Sequence, residues 1–319
     1  MALNSPAVGK SIRSRVVALA GGVGGAKLAD GLARLLPPGA LTVIVNTGDD
    51  FTHYGLAISP DLDTVMYTLS GLADPVNGWG LAGDTRQMVG MIQRYGDQGW
   101  FGLGDKDLAT NLLRTEALAS GQPLSTITVT LASALSVNAR LLPMSDDRVA
   151  TLVETTDMGT LAFQEYFVRY RWQPVVTHLH YAGADQARPA PGVLEALAQA
   201  TAIVICPSNP LLSVEPILQI PGIRAAIAER RVPCVAVSPI IAGQAVKGPA
   251  AKLMSELGLD ATVAGVAAYY GSLIDGLVVD NADRDMQIPQ HLLATNAWMR
   301  TLEDRDRLAD ELLVWMENL

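Results

Sequence analysis

The apolar positions of this chain change period from block to block. Residues 15–20, "RVVALA", form a short apolar, β-branched run that "GGVGG" ends. "AKLADGLARLL" then repeats its apolar positions at helical spacing until Pro37 and Pro38 close it. Residues 41–46, "LTVIVN", form a second strand. Strand, glycine turn, helix, strand opens a doubly wound sheet, so the pattern predicts an α/β fold with a Rossmann-like, mostly parallel sheet. From 64 to about 140 the pattern is mostly helical, broken by the turn-rich "ADPVNGWG" and "QGWFGLGD". Residues 150–182 read as a hairpin around Asp157–Gly159 followed by a short helix or edge strand. Parallel-strand signals return at 201–210, 233–243, 261–271 and 275–283, and "TLEDRDRLADELLVWMENL" closes the chain as an amphipathic helix. The expected organisation is a core of 15–144 and 191–319 carrying a helical insert, with a small cap subdomain at 145–190.

Composition narrows the functions available. With 49% hydrophobic and 17% charged residues, the 319-residue chain is an ordinary globular protein with ample core. Its net charge of −9 argues against broad nucleic-acid binding, yet leaves room for a small anion held by local amides or a metal. Cys206 and Cys234 lie inside apolar runs and read as buried thiols of a reducing compartment. Residues 1–14 contain no apolar leader and no run reaches membrane-spanning length, so a cytoplasmic protein without a membrane partner is expected.

The chemistry concentrates in two motifs. In "AGGVGGAKL", Gly21, Gly22, Gly24 and Gly25 sit between a buried strand and a helix start, where backbone amides and the helix dipole favour a phosphate. Lys27 adds a cation. This is not a Walker A loop, since Ala26 and Leu28 stand where glycine and a hydroxyl are needed, so any metal must be held elsewhere. The second motif supplies carboxylates. Asp49 and Asp50 leave the second strand in "NTGDD", and Asp61 and Asp63 follow in "PDLDT". Ser59 or Asp61 suits the N-cap of the next helix, and Asp63 its first turn. Four carboxylates within fifteen residues repel one another unless something positive joins them, and Mg²⁺ holding a nucleotide diphosphate is the expected partner.

Later loops add polar groups: Ser208, Asn209, Ser238 and Lys247. The Asn209 amide offers a donor and an acceptor to a purine edge, while the flanking prolines fit plain turn chemistry equally well. Trp79, Trp100 and Phe101 lie in glycine-rich turns and, as a group, suit one wall of an acceptor cleft above Asp63. His178 and His180 alternate as in a strand, without metal spacing.

The segments "GGVGGAKL", "VNTGDDF", "ISPDLDTVMYTL", "WFGLGDKDLATNLLR", "LLPMSDD", "PSNPLLSVEPILQIPGIR" and "AVSPIIAGQAVKGPAAKLM" resemble the CofD family over residues 15–285. Its members are 2-phospho-L-lactate transferases of deazaflavin coenzyme biosynthesis, called FbiA in actinobacteria. The resemblance implies Mg²⁺-dependent transfer of an organophosphate from a guanosine diphosphate conjugate to the ribityl hydroxyl of Fo, with release of GMP. The organophosphate can be phospholactate, phosphoenolpyruvate or phosphoglycerate. The resemblance also implies a homodimer, metal ligands at Asp49 and Asp63 with Asp50 as a third candidate, and Asp63 as the group that orients or deprotonates the acceptor hydroxyl. Nucleotide-sugar-binding regulators of the YvcK type share the glycine loop and the Asp-Asp pair, but their next motif resembles P-G-D-x-R, where this chain has "PDLDT".

Overall fold

Along β1, Val16–Ala20, every side chain is buried, and β2, Leu41–Val45, is covered except for a half-buried Thr42. Strands with no exposed face belong to parallel sheets packed on both sides. Val17 and Leu19 join Ile44, Leu142 and Ile203 in one core cluster; Val16, Ala18 and Ala20 join Val43, Leu141 and Val204 in another. The two clusters are the two faces of one sheet.

The computed structural model describes residues 11–319. Residues 1–10, within the stretch read as lacking a leader, lie outside the described residues. After β2 come the hairpin β3 (Phe51–His53) and β4 (Leu56–Ile58), then β5 (Arg140–Pro143). The segment expected to form the cap supplies β6 (Ala150–Thr155), β7 (Gly159–Ala162) and β8 (Val176–Ala182). The core resumes with β9 (Ala202–Ile205), β10 (Cys234–Val237), the two-residue β11 (Ile240–Ile241) and β12 (Gln244–Ala245), β13 (Gly276–Asp280) and β14 (His291–Thr295).

Seven strands form the central sheet in the order β14-β13-β10-β9-β1-β2-β5, and every pair is parallel. The α/β, Rossmann-like expectation holds. Strand order runs outward in opposite directions from β1 and β9, so their carboxyl-end loops flank the crevice where such sheets bind ligands. The helix α1 (Gly22–Leu35) follows β1, and α2 (Pro60–Leu69), α3 (Gln87–Arg94), α4 (Asp107–Ala119) and α5 (Leu124–Ala134) lie between β4 and β5. In the cap, β7-β6-β8 is an antiparallel sheet, with the hairpin turn at 156–158 and a π-helical turn at Glu165–Arg169.

Residues 261–271, read as a strand, instead form the helix Val263–Tyr270. Thr262 caps it by accepting the Gly265 amide, and Val263, Val266, Ala267 and Tyr270 are buried at helical spacing. The segment is apolar on nearly every side, which hides its period. Conversely, the two edge strands β5 and β14 were not foreseen: β5 has four residues, and β14 is only half covered. Cys206 and Cys234 are free and buried, as read, and burial pushes the Cys234 thiol up to about 12.

The C-terminal helix, Leu302–Met316, starts at a Thr301–Asp304 capping box and lies along α1. Arg305 Nη1 meets Asp30 Oδ2 at 2.9 Å, and a Cβ on Gly31 would overlap the Arg305 carbonyl. Backbone-to-backbone approach of this kind leaves no side chain able to yield. Gly31→Ala should therefore lower unfolding stability by about 1–3 kcal/mol in urea titrations; an unchanged midpoint would show that the two helices separate freely.

Candidate functional site

The glycine run is not a turn ahead of a helix but the helix's own first turn. Gly21 is the N-cap of α1, and Gly22, at φ +59°, opens the helix in a conformation that favours glycine. A Cβ on Gly24 would overlap the Pro207 carbonyl in the loop after β9. Ser208 ties the two loops together: its Oγ donates to the Gly21 carbonyl at 2.8 Å and accepts the Gly21 amide at 3.2 Å. Gly25 packs inward against Ser208 and Ala20 and does not reach the cleft.

A hairpin brings the two acidic pairs together. Between Asp50 and Ser59 the chain turns at Tyr54–Gly55, so that Ser59 Oγ donates to Asp50 Oδ2 at 2.6 Å. Asp61 is not a cap of its own helix, as one reading held. Its Oδ1 accepts the Gly22 amide at 2.6 Å, placing an anion at the N-terminus of α1. Its Oδ2 lies 3.0 Å from Asn46 Nδ2, which also donates to Asp49 Oδ1 at 2.8 Å. Asn46 is fully buried and fixed by the Gly48 amide, which donates to its Oδ1 at 2.8 Å. From the cap, Gln164 Nε2 reaches Asp49 Oδ2 at 3.3 Å.

Asp63 has a different partner, the buried guanidinium of Arg114 on α4, which grips both carboxylate oxygens. Asn111, one turn earlier, accepts from the same guanidinium at 2.8 Å. α4 is inverted: its polar Asn111 and Arg114 are buried, and Leu112 and Leu113 are exposed.

Burial raises all four carboxyls. For Asp49 the neighbouring charges of Asp61 and Asp50 add to it, and Asp61 is pushed up to about 6 although Asn46 and Gly22 oppose the shift. For Asp50 the Ser59 hydroxyl opposes burial, and for Asp63 Arg114 does. Asp50 Oδ1 is buried without a hydrogen-bond partner. Among the described residues no three His, Cys, Asp or Glu side chains converge closely enough to hold a metal by themselves. The paired hard oxygens of Asp49 and Asp61, held by a neutral amide and lining the cleft, nevertheless fit a magnesium ion that would take its remaining ligands from phosphate and water.

These groups open into a cleft of about 570 Å³ along the carboxyl edge of the sheet. Asp49, Asp61 and Asp63 line it; Asp50 does not. Lys27 and Lys247 line it too. Lys27 Nζ donates to the Met299 carbonyl at 2.8 Å, and Lys247 Nζ to the Asn77 carbonyl at 2.7 Å, joining the segment after β12 to the insert. Burial lowers both lysines, Lys27 further through Arg305 and Lys247.

Asn209 lines the cleft, but its Oδ1 accepts the Leu211 and Leu212 amides, so the paired donor-acceptor reading of a base edge gives way to turn chemistry. Ser238 also lines the cleft while its hydroxyl bonds within its own turn, to Ile240. Trp79 and Phe101 line the cleft. Trp100 instead packs edge-on against His53, with ring centroids 5.2 Å apart. Sequence reasoning missed Asn46, Arg114, Trp298 and the Tyr67–Asp107 pair, whose hydroxyl and carboxylate lie 2.7 Å apart at the cleft. Burial and the nearby Asp63 push Asp107 up to about 6.

The CofD family model, described as 2-phospho-L-lactate transferase, matches residues 16–316. A phosphoenolpyruvate transferase of Streptomyces griseus is 48% identical over 274 residues, covering 84% of this chain and 86% of that protein. One from Kitasatospora aureofaciens is 50% identical over 275 residues, with coverage of 84% and 86%. A crystal structure of a UPF0052-family protein from Bacillus halodurans superposes with a TM-score of 0.62 at 16% identity, covering 94% of this chain and 98% of that one, a likeness of fold alone. Matched along nearly its whole length, with the acidic cluster and the α1 N-terminus facing one cleft, the chain belongs to the CofD family and is a phosphotransferase.

Proposed function

We propose that the protein transfers a phosphoenolpyruvyl group from a guanosine diphosphate conjugate to the ribityl hydroxyl of Fo, releasing GMP, with Mg²⁺ as cofactor. The observation that carries the reading is the Asp49–Asp61 pair, held by a neutral amide beside the phosphate-binding end of α1. The names of the curated relatives favour phosphoenolpyruvate over phospholactate or phosphoglycerate. A homodimer and a cytoplasmic setting belong to the same proposal; no described helix is long and apolar enough to cross a membrane.

Phosphoryl transfer needs positioning and charge neutralisation more than covalent help. Asp49 and Asp61 would hold the magnesium ion, which when bound neutralises charge on the diphosphate. This revises the metal assignment from Asp63, whose charge Arg114 already balances. Lys27, Lys247 and the remaining first-turn amides of α1 would hold the phosphates. Arg114 opposes the upward push of burial on the Asp63 carboxyl, and as a carboxylate Asp63 would take the proton of the acceptor hydroxyl. That oxygen would attack the phosphorus bearing the enolpyruvyl group, and the bond from this phosphorus to the bridging oxygen would break, the oxygen leaving with GMP. Product mass from purified enzyme, Fo and the three candidate guanosine conjugates tests the assignment: a phospholactyl or phosphoglyceryl product alone would overturn it.

Asp49→Ala and Asp61→Asn should each lower kcat on the order of 100-fold or more in steady-state assays, because each removes a carboxylate charge from the metal seat. Near-normal turnover at low magnesium would sink the assignment. Arg114→Ala should destabilise the fold by about 3–5 kcal/mol in urea titrations by leaving Asp63 buried without its partner. Replacing Arg114 and Asp63 together by leucine should recover most of that loss. Fo fluorescence should respond to added protein with GDP and Mg²⁺ present, and a UDP-sugar should not compete. Tight UDP-sugar binding without Fo binding would favour a YvcK-type regulator instead.

A further inference from the structure

We propose that the indole of Trp298 is the platform on which the nucleobase of the donor stacks. This rests on the nucleotide reading above and assigns a part of the cleft that reading leaves open. Trp298 lines the cleft and is 45% exposed. The Arg300 guanidinium carbon lies 3.7 Å from the ring centroid, and Arg300 is not part of the cleft lining, so a cation backs the ring from outside. A large apolar ring left half in solvent at a cleft wall is the kind of surface a planar ligand covers, and guanidinium backing adds cation–π attraction.

The segment is built to hold that ring still. The Trp298 amide donates to Asn296 Oδ1 at 3.2 Å and the Ala297 amide to Asp280 Oδ2 at 3.0 Å. The next carbonyl, that of Met299, receives Lys27 Nζ. The indole therefore neighbours the cation expected to hold phosphate.

Its place in the sheet selects the base over the acceptor ring. Trp298 follows β14, while Asp49 and Asp50 follow β2, with four strands of the sheet between β14 and β2. The glycine loop after β1 lies between them. A nucleoside diphosphate with its phosphates at that loop and its reacting end at the carboxylates directs its base toward β14. Fo, whose hydroxyl must reach Asp63, lies at the opposite end.

Calorimetric titration of GDP and of inorganic pyrophosphate, each with Mg²⁺, into wild type, Trp298→Ala and Trp298→Phe tests the assignment. Stacking is worth about 1–3 kcal/mol per base, so Trp298→Ala should weaken GDP binding about 5–150-fold. Pyrophosphate affinity and the KM for Fo should stay unchanged, and Trp298→Phe should restore most of the GDP affinity. Unchanged GDP affinity in Trp298→Ala, an equal loss for pyrophosphate, or a raised KM for Fo in place of the GDP effect would each overturn the platform. Wild-type protein that binds pyrophosphate but not GDP overturns the nucleotide reading and the platform with it.

Discussion

Burying like charges together is the constraint from which the rest of this structure follows. Asp49, Asp50, Asp61 and Asp63 sit within one short stretch at the carboxyl edge of a parallel sheet, largely shielded from water. An uncompensated buried ion costs about several kcal/mol even after relaxation. The fold meets that cost unevenly. Asp63 receives a full positive charge from Arg114, Asp50 a hydroxyl, and Asp49 and Asp61 only neutral donors: the amide of Asn46, which they share, with Gln164 added for Asp49 and the Gly22 amide for Asp61. A neutral donor fixes two anions in place without cancelling them, which leaves their combined field directed at the cleft. The inversion of α4 follows from the same need: to bring Arg114 inward, the helix turns Leu112 and Leu113 out.

The second organising element is the seam between β1 and β9. Ser208 bridges the two loops through both polar atoms of Gly21, and Gly24 is small enough to admit the Pro207 carbonyl. The seam fixes the first turn of α1 against the later half of the chain. From there the insert, the cap and the β14 segment each reach the cleft with one polar or aromatic contribution: the Asn77 carbonyl, Gln164 and Trp298.

Much of this could be read from residue order. The apolar runs of β1, β2, β9, β10 and β13 have no polar face, so burial on both sides and a parallel sheet follow directly. The glycine loop and the acidic pairs were legible because their composition is unusual for a strand exit. What escaped has a common cause: it depends on meetings between residues far apart in sequence. Arg114 lies 51 positions from Asp63, and nothing in "LATNLLR" marks its arginine as the inward one. Asp61 looked like a helix cap because local rules score it against its own helix, whereas its carboxylate serves the N-terminus of α1, 39 residues back. The Val263–Tyr270 helix escaped for another reason: its sequence is too uniformly apolar to reveal a period.

The contact between Asp61 and Gly22 also sets a rule of admission. Most amide nests wait open for an anion; this one already contains one of the protein's own. On the proposed function, a free phosphate arriving there would meet a resident carboxylate and two more close by and be repelled, whereas one screened by a divalent cation would meet the same carboxylates as ligands. The cleft would then sort nucleotides by the counterion they carry before it reads any other part of them.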